Sequence, residues 1–202
     1  MMRKDIAAMR STRKFSLTGA ASHFGGCRSG LAAVEFAFIA PIMILLFFGV
    51  LEGSSAYSVN RKVLLASNTL ADLVAQETSI TKASLEDLFV GMEDVIDPRD
   101  IDVTFRVVSV VLDTATDEIK VHWSLDSDGG TPYAAGSVYP GDLDAALLDD
   151  ASSLIIAETS YDYASPISQK VIGPITMNKT ATRWPRISSK VQYCVVVGSC
   201  TS

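Results

Sequence analysis

Few residues in this chain have the type and spacing to do chemistry. Glu35 is the most unusual, a lone carboxylate in the apolar run LAAVEFAFIAPIMILLFFGV from Leu31 to Val50. A charge in such a run costs a few kcal/mol at mid-membrane and therefore tends to be paired or functional. Snorkelling to the near interface is the plain reading, since Glu35 lies about one turn into the run. Cys194 and Cys200, in the stretch CVVVGSC, are candidates for a disulfide. Two free thiols or an intermolecular link are the other readings. Asp126-Ser127-Asp128-Gly129-Gly130 opens like a calcium loop, but Thr131, Pro132 and Tyr133 fail the ligand positions that should follow, so a solvated turn is expected. His122 beside Trp123 reads as a packed or surface imidazole, and no metal site is expected. Asp149-Asp150 and Glu93-Asp94 read as solvated carboxylates, and Asn178-Lys179-Thr180 is a short glycosylation triplet of little weight. No nucleophile elbow, phosphate-binding glycine loop or His-Glu-x-x-His is present, so no catalytic residue and no cofactor is expected.

The element that must position Glu35 is the run itself. Twenty residues at about 1.5 Å each span about 30 Å, the thickness of a bilayer core. The run is read as one membrane-spanning helix, residues 31–51. Pro41 is expected to kink it, and Gly49 and Gly53 mark where the chain could bend on leaving the membrane. Ser54 and Ala56 stand in the spacing of a signal-peptidase site that would release the chain at Tyr57. The length of the run and the helical pattern beyond it favour an anchor instead.

Charge divides the chain. Residues 1–30 hold six Lys/Arg, Arg28 among them, against Asp5 alone, and read as a basic cytoplasmic leader that includes His23 and Cys27. Residues 31–202 hold 11 Lys/Arg against 22 Asp/Glu. Basic residues flanking a membrane helix stay in the cytoplasm. The acidic part, residues 52–202, is therefore placed outside, where disulfides persist. No basic surface remains for a nucleic acid, so that partner class is excluded.

The outer part reads as α+β. Helix continues to Glu77, with Ala56, Val59, Val63, Ala66, Leu70 and Leu73 in one stripe. The stripe packs on the chain's own domain, with a coiled-coil partner as the other use. A second helix is expected from Ser84, capped by Ser84 and Asp87, with Leu85, Leu88, Phe89, Met92 and Val95 on its apolar face and Asp97-Pro98 at its end. Then the period changes to two. Val103, Phe105, Val107 and Val111, and Ile119, Val121, Trp123 and Leu125, predict a hairpin turning over 113–118. A loop over 126–141, a short helix within 142–152, strands over 154–163 and 174–184, and an edge strand within 187–197 complete an antiparallel sheet of four or five strands.

Gly30, then four small or apolar residues, then Glu35-Phe36, resembles the processing site of type IV pilin-like precursors. More closely, the segment GLAAVEFAFIAPIMILLFFGVLEGSSAY, with Asn60-Arg61 and Leu70-Ala71-Asp72-Leu73-Val74 beyond it, resembles the TadE/TadG-like proteins of the tight-adherence (Flp) pilus system. The larger members carry a further domain that 202 residues cannot hold, so the resemblance is to the TadE-like kind. It implies a pilin-like (pseudopilin) structural component, cut between Gly30 and Leu31 by a membrane aspartyl prepilin peptidase. It also implies that Glu35, next to Phe36, acts in assembly by pairing with a neighbouring subunit's new N-terminus. Other pilin-like subunits and the inner-membrane platform would be its partners, and its domain would lie in the periplasm. An uncleaved bitopic protein with an outer binding module is the second reading, and an extracytoplasmic enzyme the third.

Overall fold

A computed structural model describes residues 28–96, 103–148, 152–165, 170, 173–196 and 199–200. His23, Cys27, Asp97-Pro98 and Asp149-Asp150 lie outside them. The chain is α+β, and it divides into two compact units between Gly49 and Val50.

Helix α1 runs Arg28–Ala75 and is helical throughout, Pro41 included. Beyond Val50 its buried positions are Val63, Ala66, Ser67, Leu70, Ala71, Val74 and Ala75, with Ala56 and Val59 half-buried against the same core. These fall on one side at 100° per residue. Leu73, expected in the stripe, is only half-buried. It sits about 100° from the centre of the face, and Val74 takes the inward position. The stripe packs on the chain's own domain, as expected. Ser67 interrupts it without cost: its Oγ donates to the Val63 carbonyl at 2.9 Å and shares a second hydrogen bond with the Thr159 hydroxyl at 2.7 Å, which can donate to it, so a buried hydroxyl is satisfied.

A three-residue strand β1, Ser79–Thr81, precedes helix α2, Lys82–Ile96. The cap lies three residues before the expected one: Thr81 Oγ1 accepts from the Ser84 backbone N–H at 3.2 Å, so Thr81 is the capping residue and Ser84 stands in the first turn. Leu85, Phe89 and Ile96 are buried on α2, while Val95, expected on this face, is exposed. Ile96 is eleven residues from Leu85, three full turns, and replaces it.

Strands β2 (Val103–Asp113), β3 (Glu118–Asp126), β4 (Ser153–Tyr163) and β5 (Ile175–Arg183) form one antiparallel sheet in the order β3-β2-β4-β5. The hairpin loop is closed by Asp117 at φ 57° and by Lys120 donating to Asp113, which holds the Asp113 carboxyl below its usual range. The C-terminal segment does not extend this sheet. Strand β6, Gln192–Val196, pairs in parallel with β1 and antiparallel with β7, Ser199–Cys200, in a second, three-stranded sheet. No alternation marks Ser79–Thr81 in the sequence, so its pairing with β6 was not legible.

A bulge decides which side of the sheet the apolar residues face. Ser109 pairs with Trp123 and Val110 with Val121, leaving His122 as the extra residue of β3. The alternation flips there. Trp123 and Leu125 pack with α1 and α2, whereas Val121 and Ile119 lie on the opposite side. The sheet is thus covered twice. On the inner side Phe105, Val107, Ile155, Ala157 and Tyr161 pack against the helices, with the Phe89 and Phe105 rings stacked at 6.0 Å. On the outer side Val108, Val110, Leu154 and Ile156 are covered by Tyr133, Tyr139, Leu143 and Leu148 from the segment after β3. Among its described residues that segment holds one 3-10 turn, Ala145–Leu147, capped by Asp144, within the stretch expected as a short helix.

The outer layer is pinned by one carboxylate. Tyr133 Oη donates to Glu158 Oε2 at 3.0 Å and Tyr139 Oη to Glu158 Oε1 at 2.6 Å. Gly141 is required beside it, because a Cβ there would stand 2.4 Å from the Tyr139 ring. Burial, then the hydrogen bond to Glu158, raises the Tyr139 hydroxyl above its ordinary pKa, and burial raises that of Tyr133. The folded state therefore resists an ionisation that unfolded tyrosine undergoes near pH 10. This contribution is whole below that pH and is lost as pH rises above it. Denaturant unfolding of the full chain in nanodiscs between about pH 9 and 11 should show a falling midpoint, with a shallower fall in Tyr139→Phe. An equal slope in both proteins would remove Tyr139 from the account.

Candidate functional site

From Gly30 to Leu51 every residue of α1 is exposed apart from Ala40, which is half-buried. Phe36, Phe38 and Leu45 are each more than 70% exposed. An apolar surface that none of the described residues covers is costly in water, because it orders solvent over its whole area. Within this helix an 18-residue window reaches a mean hydropathy of 2.5 with none of it buried, and the helix is long and apolar enough to cross a membrane.

Gly30 is the third residue of α1, with open space where a Cβ would stand. Leu31 and Glu35 follow at i and i+4, on one face and one turn apart. Glu35 is exposed and has neither a hydrogen bond nor an ion pair among the described residues. The helix therefore presents one carboxylate on an otherwise apolar surface, close to Leu31, with Phe36 beside it and 71% exposed.

Glu52 carries a second carboxylate immediately after the apolar run, and sequence reasoning missed it. Its Oε1 accepts from Ser165 Oγ and lies 3.5 Å from the Oη of Tyr163, the last residue of β4, two positions before Ser165. Burial and the Glu52 carboxylate together raise the Tyr163 hydroxyl. Farther along α1, Asp72 accepts from Arg186, and the Ala75 carbonyl accepts from the Arg186 N–H at 2.9 Å. Between these ends lies the buried stripe, so this half of α1 is tied to the domain at both extremities. The signal for Glu52 was its position, a charge at the last turn of an apolar run; its partners lie more than a hundred residues away.

Cys194 and Cys200 are paired residues of β6 and β7, and their sulfurs are joined at 1.98 Å. At the opened calcium-loop motif, Asp126 Oδ1 accepts from the Gly130 N–H at 2.6 Å, and the Asp126 N–H donates back to the Gly130 carbonyl. The carboxylate thus closes its own turn, and among the described residues no group of three His, Cys, Asp or Glu is placed to hold a metal ion.

Residues 30–72 match the family model of TadE-like protein. The similarity is confined to this segment of the chain. The match starts at Gly30 and takes in Glu35, Phe36, the rest of the apolar helix and the first part of the buried stripe. It ends at Asp72, before the strands. Neither a curated protein nor a solved structure matches the chain. The α+β domain that the TadE-like helix enters is therefore described by its own geometry alone.

Proposed function

We propose that this chain is a minor pilin-like structural component of a Tad-type pilus assembly. Leu31–Leu51 anchors it in the bacterial inner membrane, with residues 1–30 in the cytoplasm and residues 52–202 in the periplasm. The observation that carries this reading is the TadE-like match, which begins at Gly30 and holds the lone carboxylate Glu35 on an uncovered apolar helix. The Cys194–Cys200 bridge fits an oxidising compartment outside the cytoplasm.

In this reading a prepilin peptidase cuts between Gly30 and Leu31. A glycine with open space where a Cβ would stand suits that cut, since a protease can approach the backbone there. The product carries a new α-ammonium on Leu31. In a bilayer that charge and the Glu35 carboxylate are each costly alone and attract strongly when they meet on neighbouring subunits. The role is structural: Glu35 sets register and turns nothing over. Pilin-like subunits and the membrane platform are the partners.

Mass spectrometry of the protein purified from membranes tests this. The expected chain begins at Leu31 in the wild type and retains the leader in Gly30→Leu. A wild-type chain that still begins at Met1 would leave an uncleaved bitopic protein, and a start at Tyr57 would make the domain a secreted one.

A further inference from the structure

The outer side of the four-stranded sheet is only partly covered by the segment after β3. Beside that cover, two cross-strand rows border a cleft. Thr104, Ser160 and Asn178 are in register across β2, β4 and β5, and Arg106, Glu158 and Thr180 form the adjacent row. Strands about 4.8 Å apart, with rows about 7 Å apart, turn these six side chains into a small grid. They line a cleft of about 370 Å³. That lies within the range of small-ligand sites, about 300–1,000 Å³.

The chemistry of the grid is specific. No apolar residue belongs to it, so an apolar ligand has nothing to bury against. Arg106 Nη1 stands 4.0 Å from Glu158 Oε2, so these two charges offset each other; Lys179 also borders the cleft, but it lies between Asn178 and Thr180 on β5 and by strand alternation directs its ammonium to the other face. Glu158 is also oriented by the Tyr133 and Tyr139 hydroxyls, one on each oxygen, and is therefore a fixed acceptor. The Arg106 side chain is 42% exposed, so its guanidinium can donate to a ligand oxygen in the cleft. Threonine and serine hydroxyls and the Asn178 amide both donate and accept. A ligand matching this set is uncharged and dense in hydroxyls, each of which can accept from Arg106 or Asn178 and donate to Glu158.

We infer that this cleft is a binding site for a neutral saccharide. The site lies wholly on the sheet and stands or falls apart from the reading of Gly30 and Glu35. The test uses the full chain in phosphatidylcholine nanodiscs, because glycoside detergents would themselves compete. Saturation-transfer NMR is recorded with maltotriose and with triacetylchitotriose as probes. The expected result is saturable binding of at least one probe, weakened about tenfold or more in Asn178→Ala/Thr180→Ala and in Arg106→Gln. Asn178 and Thr180 are exposed on the edge strand, so that double variant keeps the fold, which unchanged thermal unfolding verifies. Failure of both probes to saturate, or equal binding by the wild type and the double variant, overturns the proposal.

Discussion

In Glu35→Gln the protein should still insert into the membrane, while its incorporation with pilin-like partners falls by about a hundredfold or more. Glutamine keeps the length and hydrogen-bonding capacity of the side chain and removes only the charge. Insertion is not impaired, because an amide is less costly in hydrocarbon than a carboxylate. Assembly is impaired because breaking a buried ion pair by removing one partner costs about 3–5 kcal/mol, and each 1.4 kcal/mol is tenfold in an equilibrium. The measurement is co-purification with the other pilin-like subunits, set beside carbonate extraction to verify insertion. Gly30→Leu supplies the second arm, because an uncut chain has no ammonium on Leu31. If Glu35 pairs with that ammonium, the double variant assembles no worse than either single one, the non-additivity expected of two partners in one contact. Wild-type incorporation of Glu35→Gln, or simple additivity of the two changes, would sink the pairing.

The long apolar helix and the position of Glu35 on it were legible because they depend on short-range pattern. A carboxylate in a twenty-residue apolar run is conspicuous in the sequence, and so is the stripe from Ala56 to Leu70 at steps of three and four. The strands β2 to β5 were legible for the same reason, as alternation over nine to eleven residues. The two failures in the sheets came from relations the sequence does not carry locally. One extra residue at His122 moves Ile119 and Val121 to the opposite side from Trp123 and Leu125, although all four sit at odd positions. The C-terminal strand leaves the main sheet because its partner is Ser79–Thr81, three residues with no period of their own.

The same contrast separates the two candidate sites. Gly30, Leu31 and Glu35 lie within six residues, and their relation is fixed once the helix is known. The grid on the sheet draws Thr104 and Arg106, Glu158 and Ser160, and Asn178 and Thr180 from three strands. None of these residues is unusual in its own strand, where each reads as the solvent-facing partner of an apolar neighbour. Only register places Arg106 opposite Glu158, and only the two tyrosines from the covering segment fix that carboxylate.

Leu70→Ala should destabilise the domain by about 2–5 kcal/mol, the range for removing a buried leucine. Leu70 is fully buried on the side of α1 that meets the sheet, among Phe89, Phe105 and Ile155 of the same core. Its loss removes apolar burial and leaves a cavity that the sheet cannot fill, because Ser67 is held by Thr159 and Arg183 and Arg186 tie the end of the helix to Asn68 and Asp72. Leu64→Ala, about 120° round the same helix from Leu70 and 43% exposed, should change stability by no more than about 0.5 kcal/mol. The pair controls for helix propensity, since both exchange leucine for alanine in one helix. Guanidinium unfolding of the full chain in nanodiscs, followed by the fluorescence of buried Trp123, reads both. Trp123 reports on the core directly, with its indole N–H donating to the Val191 carbonyl at 2.8 Å and its ring stacked 5.6 Å from Tyr193. A large loss in Leu70→Ala with none in Leu64→Ala means the TadE-like helix is an integral part of the domain core. Equal small effects would mean that the domain stands without it.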